Sequence, residues 1–126
     1  MTVVSIDHVQ ITVPLDRMDA ALAFYGRTLG LVELPQPVRE DPEPGAWYGI
    51  GASELHLRAE TVDRETLRAS RRHVALAVND LDALRAALIA AGTELLPDRR
   101  PVPGQRRLFL RDPGGNRVEL VERRAR

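Results

Sequence analysis

A chain of 126 residues, 44% hydrophobic and 29% charged, has the size of one domain able to bury about two thirds of its unfolded surface. Its 18 basic and 18 acidic residues cancel, which removes the electrostatic footprint expected for a nucleic-acid or anionic-membrane partner; the closing Arg123-Arg124-Ala125-Arg126 is only a small basic tail. With no cysteine there can be no disulfide, no thiolate metal site and no Cys nucleophile. The start MTVVSIDH lacks the features of a signal peptide and no stretch has the length of a membrane span, so a cytoplasmic protein without a membrane partner is expected.

In chain order, residues 5–13 alternate strictly, with Val9, Ile11 and Val13 on one face and His8, Gln10 and Thr12 on the other, as in a half-buried strand that Pro14 ends. A helix capped by Asp16 follows, with Met18, Leu22 and Tyr25 as its core stripe and Gly30 as its C-terminal glycine. Residues 31–34 form a short strand and the proline-rich residues 35–45 a loop. Residues 47–50 and 54–58 make a hairpin around Gly51-Ala52-Ser53. The charged stretch 59–72 is a linker with room for a short helix. Residues 73–78 are again a strand, and Asn79 or Asp80 caps a helix with a Leu81, Leu84, Leu88 stripe ending before Gly92. A strand over 93–96 and a loop over 97–104 precede a second hairpin, 108–111 with 117–121, turning on Asp112-Pro113-Gly114-Gly115-Asn116.

The second half therefore repeats the first: His-Val opens each copy, a helix ends at Gly30 or Gly92, and a strand closes on Leu34-Pro35 or Leu96-Pro97. The histidines are 65 residues apart and the glycines 62, so the second copy has the shorter helical region. The expected fold is α+β: two βαβββ modules, at about 4–59 and 72–122 with a linker at 60–71, forming a curved mixed sheet around a metal-binding cavity with helices outside.

Strand parity selects the chemistry. His8, His73 and Glu119 oppose the apolar faces of their strands, and so do Glu54, His56 and Arg58 against Leu55 and Leu57. A single strand histidine is ordinarily no more than a polar-face residue. Here all three histidines of the chain obey one rule, which argues for shared purpose. Three imidazoles and a carboxylate suit a divalent ion such as Zn²⁺, Ni²⁺, Mn²⁺ or Fe²⁺. Trp47 or Tyr48, with aromatic residues so scarce, is expected to line the cavity. Gln10 and Arg58 share the polar faces, and Arg106 or Arg107 is a candidate clamp for an anionic substrate group.

The paired modules, the opening His-Val of each and the closing LFLRDPGGNRVEL resemble the vicinal oxygen chelate superfamily, which includes glyoxalase I, fosfomycin- and bleomycin-resistance proteins, methylmalonyl-CoA epimerase and extradiol dioxygenases. The resemblance spans essentially the whole chain. It implies metal ligands at His8, in the Glu54/His56 strand, at His73 and at Glu119. Counting favours Glu54, since 46 residues separate both His8 from Glu54 and His73 from Glu119, but the unequal helices weaken the count. His56 is taken as the ligand, with Glu54 the alternative. The implied activity is a divalent-metal enzyme acting on a small substrate with vicinal oxygens by lyase or isomerase chemistry, with Glu119 or Glu54 moving the proton. An Fe(II) ring-cleaving dioxygenase and a metal-free bleomycin-resistance-type binder are the alternatives, and a homodimer is the expected assembly.

Overall fold

Alternation of apolar and polar residues makes β1 (His8–Val13) a strand with one buried face: Ile11 and Val13 are buried, His8 and Gln10 exposed. The computed structural model describes residues 1–123, so Arg124, Ala125 and Arg126 of the basic tail lie outside the described residues. The chain divides into unit 1, Met1–Val62, and unit 2, which begins at Asp63. Each contains a four-stranded mixed sheet and the order βαβββ.

In unit 1, β1 is followed by a 3₁₀ turn (Leu15–Arg17), α1 (Met18–Ala23) and a π-helical turn (Phe24–Thr28). The helical region starts two residues earlier than expected, its N-cap at Pro14 and not Asp16. Pro14, extended at φ −57 and ψ 147, is the N-cap residue, so Asp16 sits within the first turn and does not cap it. Strands β2 (Val32–Leu34), β3 (Gly45–Ile50) and β4 (Ser53–Ala59) complete the sheet in the order β1-β4-β3-β2. Pairing of β1 with β4 is parallel, and the β3–β4 hairpin turns on Gly51 and Ala52. Val13, Ala21, Phe24, Tyr25, Tyr48, Leu55 and Leu57 form the core on the helix side. Each large apolar side chain buried there contributes about 1.5–3 kcal/mol.

In unit 2, α2 (Arg64–Ala69) is capped by Asp63, whose carboxylate accepts from the Thr66 amide at 2.9 Å. β5 (His73–Val78) leads to α3 (Leu81–Ala90), capped by Asp80 through the Ala83 amide at 3.0 Å. β6 (Glu94–Leu96), β7 (Arg107–Arg111) and β8 (Arg117–Glu122) follow, and the sheet order β5-β8-β7-β6 matches that of unit 1. Leu81, Leu88, Leu108, Leu110, Val118 and Leu120 form this core. Among the described residues, no helix is long and apolar enough to cross a membrane.

The β7–β8 turn is built around the buried Asp112 carboxylate. Its Oδ1 accepts from the Gly114 and Asn116 amides, both at 2.9 Å, and its Oδ2 from the Asn116 side-chain amide at 3.0 Å. Asp112→Ala strips these charge-assisted bonds and leaves buried donors unpaired. It is expected to destabilise the protein by about 2–3 kcal/mol, read as a lower denaturation midpoint in urea.

Candidate functional site

Parallel pairing decides which donors share a face. In unit 1 His8 lies opposite Glu54, Gln10 opposite His56 and Thr12 opposite Arg58, and Trp47 lies across from His56 on β3. In unit 2 His73 lies opposite Arg117 and Ala75 opposite Glu119, with Phe109 across from Glu119 on β7. The residue equivalent to Glu119 is therefore His56, and Glu54 matches Arg117. The equal count to Glu54 misleads because unit 1 carries the longer helical region and the shorter hairpin turn, two differences that partly cancel.

In unit 1 the rings of Trp47, His56 and His8 form a stack, with centroids 4.1 Å and 4.2 Å apart and interplanar angles of 2° and 12°. His56, 6% exposed, donates from Nε2 to Glu54 Oε1 at 2.9 Å. His8 donates from Nδ1 to Asp7 Oδ1 at 2.8 Å, which leaves its Nε2 lone pair available. A hollow of about 680 Å³ opens over this face, lined by His8, Gln10, Trp47, Glu54, His56 and Arg58 and by the loop from Gln36 to Glu43.

Unit 2 holds the second pair. Glu119, 7% exposed, lies 3.1 Å from His73 Nε2 through Oε1 and 3.7 Å from Arg107 Nη1 through Oε2. The His73 Nδ1 faces the Arg71 carbonyl oxygen at 2.9 Å. Both ring nitrogens thus face acceptors, and a neutral imidazole can donate to only one of them. The Glu119 carboxylate already has the Arg107 guanidinium beside it. The available lone pair of His8 and the nitrogen and oxygen donors within each pair are of the kind that hold divalent ions. Among the described residues, no three His, Asp or Glu side chains converge as a ready metal cage. What each unit offers is a pair.

The substrate candidates divide. Trp47 lines the hollow, whereas Tyr48 has the opposite parity: it is 2% exposed on the helix side, packed near Tyr25 and Gly26, so it is not a cavity residue. Burial and then the Glu33 charge hold its phenol above the usual range, hence neutral. Arg58, expected on the polar face towards substrate, and Arg107, expected as a candidate clamp, are both engaged. Arg58 donates to Gln36 Oε1 at 2.8 Å and to the Leu57 carbonyl at 3.1 Å, and lies 3.5 Å from Glu43. Arg107 is forked onto Asp98 at 2.8 and 3.1 Å, and Arg106 is tied to Asp82 and Glu122. The Arg107 hydrogen bonds hold Asp98 below the usual carboxylate range, so this contribution to stability is complete above the unfolded value of about 3.9 and fades as pH falls through the lower folded value. Asp98→Asn is expected to flatten the acid limb of the melting-temperature profile below about pH 4. Arg117 and Phe109 share the face of Glu119 and were not singled out from sequence, although the parity that selects Glu119 selects Arg117 as well.

The family model described as the glyoxalase/bleomycin resistance protein/dioxygenase superfamily matches residues 5–120. The chain belongs to this superfamily. Members commonly use a divalent metal. A glyoxalase family protein from Bacillus anthracis is 34% identical, with 98% of each chain covered and a TM-score of 0.81. The fosfomycin resistance protein FosX from Listeria monocytogenes is 17% identical over 99% of this chain and 95% of its own, with a TM-score of 0.74. Lactoylglutathione lyase from Agrobacterium tumefaciens is 21% identical over 94% and 92%, with a TM-score of 0.64. The latter two likenesses bear on the fold. A search of curated proteins gave no match.

Proposed function

We propose that this superfamily member is a divalent-metal-dependent enzyme acting on a small molecule with vicinal oxygens, by lyase or isomerase chemistry. The observation that carries the reading is the repeated pairing: each unit sets the histidine of its first strand beside a donor of its last strand, His8 with His56 and His73 with Glu119. We assign these four side chains as metal donors, one pair from each unit. Asp7 and the Arg71 carbonyl act behind them, fixing which nitrogen of His8 and His73 carries the proton. The bound ion would supply a Lewis acid for the substrate's oxygens.

The rest is work for the protein's own groups. The hollow over β1, β4 and β3 has the volume of a small-molecule site. Trp47 forms an apolar wall there and, by stacking on His56, restricts the imidazole to one plane. Gln10 contributes a polar contact on the same face. Glu54, partly exposed at the hollow and 2.9 Å from His56, is the group assigned to accept or return a proton, with Glu119 as the second candidate carboxylate, in the unit 2 pair. Arg58 and Arg107 act as braces, the first holding the loop that bears Gln36 and Glu43, the second neutralising Glu119. A homodimer in the cytoplasm remains the proposed setting.

The test is metal content followed by turnover. Protein supplemented with Mn²⁺, Ni²⁺, Zn²⁺ or Fe²⁺ and then dialysed is expected to retain stoichiometric metal. Absence of any retained ion after supplementation contradicts the metalloenzyme reading and leaves ligand sequestration. Oxygen uptake with catechols under Fe²⁺ would replace lyase or isomerase chemistry by ring cleavage.

A further inference from the structure

All 18 basic residues are arginines, and among the described residues four of them are partly buried: Arg58, Arg107, Arg111 and Arg117. A guanidinium taken out of water without compensation is unfavourable, so each should have a partner. Arg58 and Arg107 have carboxylates. Arg111 donates to the Gly115 and Arg68 carbonyls at 3.2 and 3.0 Å. Arg117 has neither. Its guanidinium carbon lies 4.4 Å from the centroid of Phe109, and its buried Nε has no hydrogen-bond partner.

The surroundings deepen the demand. Arg111 stands directly across the β7–β8 ladder, and its own Nε is also buried and unpartnered. Burial, then the charges of Arg68 and Arg117, push the Arg111 guanidinium below its ordinary range against the opposing pull of Glu94 and Asp112. Arg107 also sits over Phe109, at 5.0 Å, but is satisfied by Asp98. Phe109 thereby supports the Arg117 side chain without occupying the donors at its tip. A planar fork held on an aromatic face is preorganised for two parallel hydrogen bonds to an oxyanion, which a lysine could not reproduce.

We infer that Arg117 is an anion-binding residue that anchors a carboxylate, phosphate or similar oxyanion of the substrate, with Arg111 contributing field. Position supports that role. Arg117 pairs with His73 across the parallel ladder, about 5 Å away, and precedes Glu119 by two residues on the same face, about 7 Å along the strand. An anion held there leaves the adjoining part of a small molecule beside the His73–Glu119 pair. Assigning the anion to the substrate rests on the function proposed above; the anion site itself does not.

The test uses the full-length, metal-free protein at constant ionic strength. Inorganic phosphate and acetate are titrated separately while the Arg117 Nε–H resonance and the Phe109 and Glu119 amides are followed by NMR. Saturable shifts are expected, with phosphate preferred if the site suits a tetrahedral oxyanion and acetate if it suits a planar one. Arg117→Gln should weaken binding at least tenfold, Arg117→Lys should weaken it three- to tenfold, and Arg85→Gln on the exposed face of α3 should change it less than twofold. Affinity in Arg117→Gln within twofold of wild type, or linear shifts spread over many arginines, would overturn the assignment. If Arg117→Gln does not fold, the wild-type Nε–H titration and the lysine variant decide the matter. Saturable binding in a protein that retains no metal would leave the anion site standing and remove the metalloenzyme reading.

Discussion

Replacing Glu119 by glutamine is expected to weaken divalent-metal affinity by at least about 100-fold, and His56→Ala should do the same, whereas Glu54→Gln should cost about tenfold or less. The first two follow from removing an assigned donor, an effect that exceeds the 10–100-fold loss ordinary for groups standing behind the ligands. Glutamine keeps the shape of Glu119 but not its charge, beside a histidine whose two nitrogens both face acceptors. Glu54 pairs in register with His8 and touches His56 through Oε1, so it acts on the site through the imidazole. A glutamine oxygen there can still accept the same hydrogen bond. Calorimetric titration of the three variants with Mn²⁺ or Ni²⁺ reads the order directly. An order with Glu54→Gln most damaging would exchange the assignments of Glu54 and His56.

The second large effect is on stability. Gly45 begins β3 at φ +146, and a Cβ placed on it would lie 1.9 Å from the Leu57 carbonyl oxygen and 2.7 Å from Arg58 Nη1. The obstacle is mainly backbone, so the β3–β4 ladder itself must yield. Gly45→Ala is expected to cost about 3–5 kcal/mol, the combination of overpacking and an unfavourable backbone conformation. That is a large share of the 5–15 kcal/mol typical of a domain. It should also displace Arg58 and the start of β3, and with them the wall that Trp47 gives the hollow. Gly92→Ala is the control. At φ +74 with nothing within 4 Å of an added Cβ, it carries only the left-handed penalty of about 1–2 kcal/mol. Equal urea midpoints for the two variants would contradict close approach as the cause.

Much of this was legible in the residues because a strand's period of two is rigid. The parity that sets His8 against Ile11, and His73 against Leu76, survives any error of a residue or two at strand ends. The repeat placed both helices and both hairpins, and the glycine-rich Asp112–Asn116 turn announced itself chemically. Comparing donors between the halves was harder. It required loop lengths, and the 3₁₀ and π turns flanking α1 are not visible as periodicity. The substrate residues were harder still. Parity could have separated Trp47 from Tyr48, since they are adjacent on β3 and must face opposite ways. Nothing in the order of residues says that Arg58 and Arg107 find carboxylates while Arg117 does not, because those partners come from loops whose course is set by tertiary packing.

The sharpest discrimination comes from metal titration of wild-type protein beside two double variants, His8→Ala/His56→Ala and His73→Ala/Glu119→Gln. The account predicts tight, saturable metal binding in wild type that both double variants weaken, although the fold melts as before. Metal binding as tight as wild type in either double variant would contradict the assignment of that pair as donors.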